Sequence, residues 1–511
     1  MFPAQYLIGV TVTNVVCMQF SVIRYKMSAY KVPTVASTVA SAVKSLAEMP
    51  GPPALPLIGS LFTIKFSKTA IEDYHNELLR MRDKYGPIFK EKSPLSSRIA
   101  VHIFDPVDAR KVFLSDGKQP YIEPLQSTTL EYRRSKGMNP GLGNLNGPEW
   151  YRLRSAVQQA MMRPDSVHQY LPFVNQVSLE LIEHIQRNLD ENHEIDMRVV
   201  AGRWSLEAAG LTVFEKRLGA LTDRIAWADE LVQLNREVFR LSAKMRFRPP
   251  FYKYFSTPNW WKMVKLEDQF YREVDALSSE AIEKLTSSNE DNKIRFASKL
   301  INKPNLNVVD IKTILLSLFS DGLSTTAPML IYNLFLLAKN PEHQERAREE
   351  VNSVVAAGQE LTPDLLNRLP YLRACMKETF RLLTITPEIS RIPQVDLVLG
   401  GYLVPAQTPV DIHTSLVQNR AYFNNPSEFR PSRWLRDCPH KEEGPPFLQT
   451  PFGHGPRMCA GRRFAEQDLL VVLARLIQHF RIEHRHEPIR QVYETLLLPD
   501  GDCRFHFTPV H

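Results

Sequence analysis

One cysteine in this chain stands where it could do redox chemistry. Cys459 lies in Phe452-Gly453-His454-Gly455-Pro456-Arg457-Met458-Cys459-Ala460-Gly461, just ahead of a run that reads as a helix. Glycines permit close backbone approach and unusual torsions. The N–H groups and positive dipole end of a following helix favour a negative sulfur. A thiolate held this way is a ligand that pushes electron density onto haem iron and favours O–O cleavage. A lone cysteine is more often a small buried hydrophobe.

Other pairs share helix faces. Glu378 and Arg381 are three apart, Asp321 and Thr325 four, Trp150 and Arg154 four, Arg373 and Lys377 four. Such spacing brings side chains together. Most ion pairs of this kind are solvated and of small value, and a helical Thr is often bonded back to the preceding turn.

The Cys459 loop resembles the haem-binding loop of the cytochrome P450 family, Phe-x-x-Gly-x-Arg-x-Cys-x-Gly. Phe452, Gly455, Arg457, Cys459 and Gly461 match every fixed position. The segment Lys377-Glu378-Thr379-Phe380-Arg381 resembles the family's Glu-x-x-Arg helix, and Phe429-Arg430-Pro431-Ser432-Arg433-Trp434 its Pro-x-Arg-Trp element. The resemblance implies haem b with Cys459 as the iron ligand and Phe452 beside it. It also implies a buried Glu378–Arg381–Arg433 network that holds the haem loop. Trp150, Arg154, Arg391 and Arg457 match contacts to the haem and its propionates. The implied fold is mainly α with a small β part, a triangular helical prism around a buried haem. The implied activity is oxygenation of a lipophilic substrate by O₂.

The stretch Ser320-Asp321-Gly322-Leu323-Ser324-Thr325-Thr326-Ala327-Pro328 resembles the family's oxygen-binding helix. Gly322 and Thr325 match, and Thr325 is implied to pass protons toward bound oxygen. Ser324 stands where an acid is usual, and Asp321 where a small apolar residue is usual. Two readings of Asp321 stand open. It supplies the missing carboxylate, relaying protons to Thr325 or binding a substrate hydroxyl, or it turns away into a salt bridge. Pro328 cannot donate to the Ser324 carbonyl, so the helix is expected to be interrupted and opened here, with a simple kink as the plainer reading.

Arg373 and Lys377, with Arg462 and Arg463 after the cysteine, resemble mitochondrial-type members of the family. Those take electrons from an acidic, adrenodoxin-like [2Fe–2S] ferredoxin and its NADPH reductase. Basic groups there would steer such a partner. Charge runs are otherwise just solvated faces. No glycine-rich nucleotide loop follows a strand, so no NAD or FAD domain is read and reducing equivalents come from another protein.

Composition frames these residues. The chain has 511 residues and a net charge of +7, enough length to bury a cofactor. No basic stripe with interleaved aromatics or zinc spacing supports nucleic-acid binding. Five scattered cysteines point to a reducing compartment. Residues 1–47 hold Arg24, Lys26, Lys31 and Lys44 and no acid, a transit-peptide composition. The expected division is a targeting segment over 1–48 and a catalytic domain over 49–511. Pro50-Gly51-Pro52-Pro53 begins a stiff connector between them. The moderately apolar 7–23 makes a membrane anchor the rival reading, and an unaddressed tail is a third.

The elements that must position the site follow from periodicity. Residues 71–85 read as an amphipathic helix and 88–103 as short strands. Helices dominate 105–390, broken near 287–292. Residues 398–404 read as a hairpin, 415–450 as a Pro-rich meander and 465–480 as a helix. Residues 495–509 read as a closing hairpin around Pro499-Asp500-Gly501.

The reading is a haem-thiolate monooxygenase of the mitochondrial inner membrane, matrix side, peripherally associated with lipid. Its substrate class is a sterol, steroid or vitamin-D-like compound, an arthropod ecdysteroid hydroxylase being one possibility. The rivals are an endoplasmic-reticulum enzyme served by a flavoprotein reductase, a haem-thiolate isomerase or dehydratase needing no O₂, and a non-catalytic haem or steroid sensor.

Overall fold

The computed structural model describes residues 43–510 apart from 56–58, 61–70, 94–97, 288–295, 357, 419–421, 440 and 443. Residues 1–42, which hold the bulk of the leader and the proposed anchor, lie outside the described residues, as does most of the polar break near 287–292. The compact unit starts at Val43. Lys44–Ser45 pair in parallel with Tyr402 and Leu403, and Lys90 donates to the Leu46 carbonyl at 2.9 Å. These bonds draw the last residues of the expected leader into the body.

The fold is mainly helical with small sheets. The helices that build the site are α1 (Ser127–Ser135), α2 (Gly147–Met161), α3 (Met197–Val213), α4 (Ile225–Arg246), α5 (Pro258–Ser287), α6 (Val308–Lys339), α7 (Pro370–Leu382) and α8 (Arg462–His479). A four-stranded sheet flanks them, built from β1 (Ile88–Lys92), β2 (Ile99–Ile103), β3 (Ile389–Arg391) and β4 (Val410–Ile412) in the order β1-β2-β4-β3. The β2–β4 pairing is parallel and the other two are antiparallel.

Helix α6 is the central beam. The Asn307 side chain accepts from the Asp310 N–H at 2.8 Å, and the Asp310 carboxylate accepts from the Asn307 N–H at 3.1 Å. This reciprocal cap fixes where the helix begins. Downstream, Leu330, Tyr332, Leu334 and Leu337 are fully buried, facing a core shared with Leu473, Leu476 and Ile477 of α8. Burial of this kind is the chief stabilising contribution to the helix.

The structure revises three expectations. The helix over 71–85 starts only at Tyr74. Helix α6 runs through Gly322 and Pro328 without a break. The burial of α6 on most sides offsets the missing N–H of Pro328, which alone costs about 3 kcal/mol, and Ser324 and Thr325 bond back to the carbonyls of Ser320 and Asp321. Residues 495–509 do not close on themselves. The hairpin lies upstream, pairing Arg490–Glu494 with Leu496–Asp500 around Thr495, whose φ of 71° makes the tight turn. Arg504–Pro509 instead joins Phe480–Glu483 and Glu194–Asp196. Its Phe505 and Phe507 are fully buried there, an apolar match that a loop at Asp500 and Gly501 could not offer. The short hairpin of Leu397–Leu399 and Tyr402–Val404 matches its expectation, with Gly400 and Gly401 both at positive φ.

Candidate active site

A cavity of about 990 Å³ lies among α1 to α6, the sheet and the loop before α8. Cys459 lines it. The Cys459 backbone N–H donates to the Phe452 carbonyl at 2.8 Å, closing the loop. Gly453 and Gly455 take φ of +71° and +74°, in the left-handed region. A Cβ on Gly461 would come 3.9 Å from the Cys459 sulfur. Burial pushes the Cys459 thiol up, while N–H groups of Gly461 and Arg462 and the charge of Arg154 favour the thiolate. The ring of Phe452 meets Phe380 edge-on at 5.2 Å.

Three of the guanidiniums that line the same cavity, Arg154, Arg391 and Arg457, lie in or against the cysteine loop. Arg154 donates to the Met458 carbonyl at 2.7 Å, yet its Nε is buried without a partner. Arg457 stacks on Trp150 at 4.4 Å and donates to the carbonyls of Pro120 and Leu145 and to Asn146. Burial, with Arg391 and Arg154 nearby, pushes Arg457 down to about 9. Arg391 pairs with Asp116 at 2.7 Å and donates to the His454 carbonyl at 2.9 Å. Positive charge thus exceeds negative charge here, a setting that favours an anion.

Behind the loop, Glu378 is fully buried and collects five donors. They are Arg381 through two bonds (2.8 and 2.9 Å), Arg433 (3.2 Å), the indole of Trp434 (2.9 Å) and the backbone N–H of Arg430 (3.0 Å). Arg381 and Arg433 are equally buried. A second acid, Glu442, pairs with Arg433 at 2.6 Å. The sequence pattern does not mark Glu442.

Residues 49–507 match the family model described as Cytochrome P450. The chain belongs to the cytochrome P450 family. It is 52% identical over 471 residues to "Probable cytochrome P450 CYP44" of Caenorhabditis elegans, covering 91% of this chain and 94% of that protein. It is 31% identical to "Probable cytochrome P450 12b2, mitochondrial" of Drosophila melanogaster, covering 91% and 90%. It is 29% identical to "1,25-dihydroxyvitamin D(3) 24-hydroxylase, mitochondrial" of Rattus norvegicus, covering 91% and 90%.

Members of this family are monooxygenases that bind haem b through a cysteine thiolate. The residues of this chain fit that group. Cys459 offers a sulfur between glycines that leave its approach clear, and the unpartnered Nε of Arg154 sits in a cationic cluster suited to propionates.

On α6, Asp321 and Thr325 both line the cavity. The Thr325 hydroxyl donates to the Asp321 carbonyl at 2.8 Å. The salt-bridge reading of Asp321 does not hold: its carboxyl has no ion pair among the described residues. Burial raises it to about 6, and the charge of Arg133 on α1 opposes that rise. Ser324 is engaged elsewhere, accepting from Asn235 of α4 at 2.9 Å. Neither Asn235 nor Arg133 was marked by the sequence pattern. Both reach the site from elements distant in sequence.

Arg462 and Arg463 are exposed at the start of α8, and Lys377 is exposed on α7. Arg373 is half-buried, donating to the Leu366 carbonyl at 3.3 Å. The Arg462 guanidinium lies over the Phe452 ring at 5.7 Å, so the basic residues of α8 adjoin the cysteine loop.

Proposed function

We propose that this protein is a mitochondrial monooxygenase that hydroxylates a sterol- or steroid-like lipid with electrons from a [2Fe–2S] ferredoxin. The balanced reaction is RH + O₂ + 2 e⁻ + 2 H⁺ → ROH + H₂O, the ferredoxin being oxidised. Haem, held through Cys459, supplies the activation of O₂. Phe452 packs beside the loop. Arg154, Arg391 and Arg457, with Trp150 under Arg457, hold the propionates. Glu378, Arg381 and Arg433 keep the loop rigid. Asp321 takes protons from the cavity and passes them toward Thr325, whose hydroxyl turns from the Asp321 carbonyl to deliver them.

The observation that carries the substrate class is the cavity, large enough for a lipid beside the haem and walled by residues such as Leu316, Phe239 and Met329. Arg373, Lys377, Arg462 and Arg463 form the basic docking face for an acidic ferredoxin. The names of the Drosophila and rat relatives support the mitochondrial reading, as does the acid-free leader. Phe251, Tyr254, Phe255 and Trp261 are exposed beside Lys253 and Lys262, a composition suited to peripheral contact with the matrix face of the inner membrane.

Reconstitution tests this reading. The haem-loaded protein is given an adrenodoxin-like ferredoxin with its NADPH reductase, or a microsomal flavoprotein reductase, and a sterol and steroid panel. Products are read by mass. A hydroxylated lipid formed only with the ferredoxin supports the proposal. Turnover only with the flavoprotein, or without any reductant, overturns it. Cys459→Ala is expected to lose the red-shifted Soret band of the reduced, carbon-monoxide-bound protein.

A further inference from the structure

One face of the four-stranded sheet floors a branch of the cavity. Cross-strand register sets Phe89 beside His102, His102 beside Asp411, and Asp411 beside Ser390. Their neighbours Val101, Ile103, Val410 and Ile412 point to the opposite, apolar side. Glu91, His102, Asp411 and Ser390 all line the cavity, joined there by Glu388 and Arg246.

Most of these groups are spoken for. Arg246 of α4 forms an ion pair with Glu388 and donates to the Tyr493 hydroxyl at 2.9 Å. His102 lies 2.9 Å from His413 and 3.2 Å from Glu91, and His413 faces the Pro387 carbonyl at 3.0 Å. Two acids keep open oxygens: Glu388 Oε2 is buried without a hydrogen-bond partner, and Asp411, more than nine-tenths buried (8% exposed), has no hydrogen bond or ion pair at all among the described residues. A buried carboxylate left unpaired is costly, so its open lone pairs call for a donor from the cavity.

Asp411 lies on the sheet, whereas Asp321 and Thr325 lie on α6 and Cys459 in the loop before α8, all lining the same cavity.

We propose that this branch is a recognition subsite for a hydroxyl group of the lipid substrate, which donates to the Asp411 carboxylate. The inference rests on the lipid reading above and narrows it to a lipid alcohol. The acids Glu91, Glu388 and Glu123 act around this carboxyl alongside the cations Arg246 and His102. The lipid reading supplies a neutral hydroxyl as the donor, and an amine analogue tests that donor against an ammonium.

The test is spectral titration of the haem-loaded full chain with cholesterol and pregnenolone, each against its 3-O-methyl ether and 3-amino analogue. Wild type, Asp411→Asn and Asp411→Leu are compared, each first required to give a normal carbon-monoxide spectrum. Loss of a charged hydrogen bond predicts that wild type binds at least one alcohol about tenfold or more tighter than its ether. The preference is expected to shrink in Asp411→Asn and to vanish in Asp411→Leu. Asp411→Asn is nearly isosteric and keeps an acceptor oxygen, so it tests the subsite even if Asp411→Leu does not hold haem. The inference is overturned by an alcohol preference that survives both changes, by equal binding of alcohol and ether in wild type, or by tighter binding of the amine. If no alcohol, ether or amine shifts the spectrum, the lipid reading itself falls and the subsite with it.

Discussion

Asn235 holds Ser324. Its amide donates to the Ser324 hydroxyl at 2.9 Å and accepts from Ser320 at 2.8 Å, while Ser324 donates to the Ser320 carbonyl at 2.6 Å. The residue at the position where the family usually has an acid is thus locked between α4 and its own helix. The open carboxyl nearby is Asp321, one turn before Thr325.

A division of labour follows. Ser324→Ala is expected to cost about 1 kcal/mol of stability, the value of an ordinary hydrogen bond, and to leave coupling within about twofold. Asp321→Asn should lower turnover and raise peroxide release. Measuring NADPH consumed, peroxide and product for both variants checks this. Equal coupling in wild type and Asp321→Asn removes Asp321 from the proton path.

The pH profile carries a second signature of Asp321. Burial raises its carboxyl to about 6. Below that pH the group is protonated and cannot accept the next proton. Coupled turnover should therefore fall as pH drops through 6, and that limb should flatten in Asp321→Asn. A limb unchanged in the variant assigns it to another group.

Much of this site was legible in the sequence, for a physical reason. The haem loop, the Glu378–Arg381 pair and the Asp321–Thr325 pair are local, fixed by spacing within one loop or one helix. What stayed hidden depends on long-range pairing. Asp116 meets Arg391 across 275 positions, and Asn235 meets Ser324 across 89. The register that sets His102 beside Asp411 joins strands about 300 residues apart. The closing hairpin was misplaced because Pro499-Asp500-Gly501 has turn composition, while the true turn uses Thr495, a residue that rarely takes positive φ.

Asp468 on α8 marks a stability cost. It is buried, its Oδ1 has no partner, and burial pushes its carboxyl to about 8. An unfolded chain releases this proton near pH 4, whereas the folded one keeps it until about 8. Folding stability should accordingly decline as pH rises across that window. Asp468→Asn removes the slope and should raise the melting temperature most above pH 8. Melting curves at pH 6 and 9 check it, and an Asn variant with the same pH slope as wild type refutes the assignment.

The Glu378 cluster predicts a loss of a different kind. Removing one member of a buried ion pair strands the others, at roughly 3–5 kcal/mol. Arg381→Ala would leave Glu378 with Arg433, Trp434 and one backbone N–H, and would free the carbonyls of Pro426 and Glu428. Glu378→Gln keeps the shape but loses the charge that faces two guanidiniums. Both variants should fail to retain haem, seen as loss of the red-shifted carbon-monoxide band, while Lys377→Ala on the same helix should keep it. Haem retention in Arg381→Ala would show that the loop holds without this brace.

The basic face makes the last prediction, and it is one of rate and salt rather than of folding. Lys377, Arg462 and Arg463 are exposed, so changing them leaves the core untouched. Arg462 spends part of its charge on Glu466, 3.0 Å away and also partly exposed, and exposed pairs of this sort are worth little. Its loss should therefore act on the partner more than on the helix. Steering by such charges weakens as ionic strength rises past about 0.1 M, where screening acts over roughly 10 Å. Arg462→Glu and Arg463→Glu should raise the KM for an acidic ferredoxin about tenfold or more at low salt, with little change in lipid affinity. The difference from wild type should narrow as salt is added. Stopped-flow reduction at several ionic strengths reads this directly, and a KM unmoved by both charge reversals would place the ferredoxin on another face.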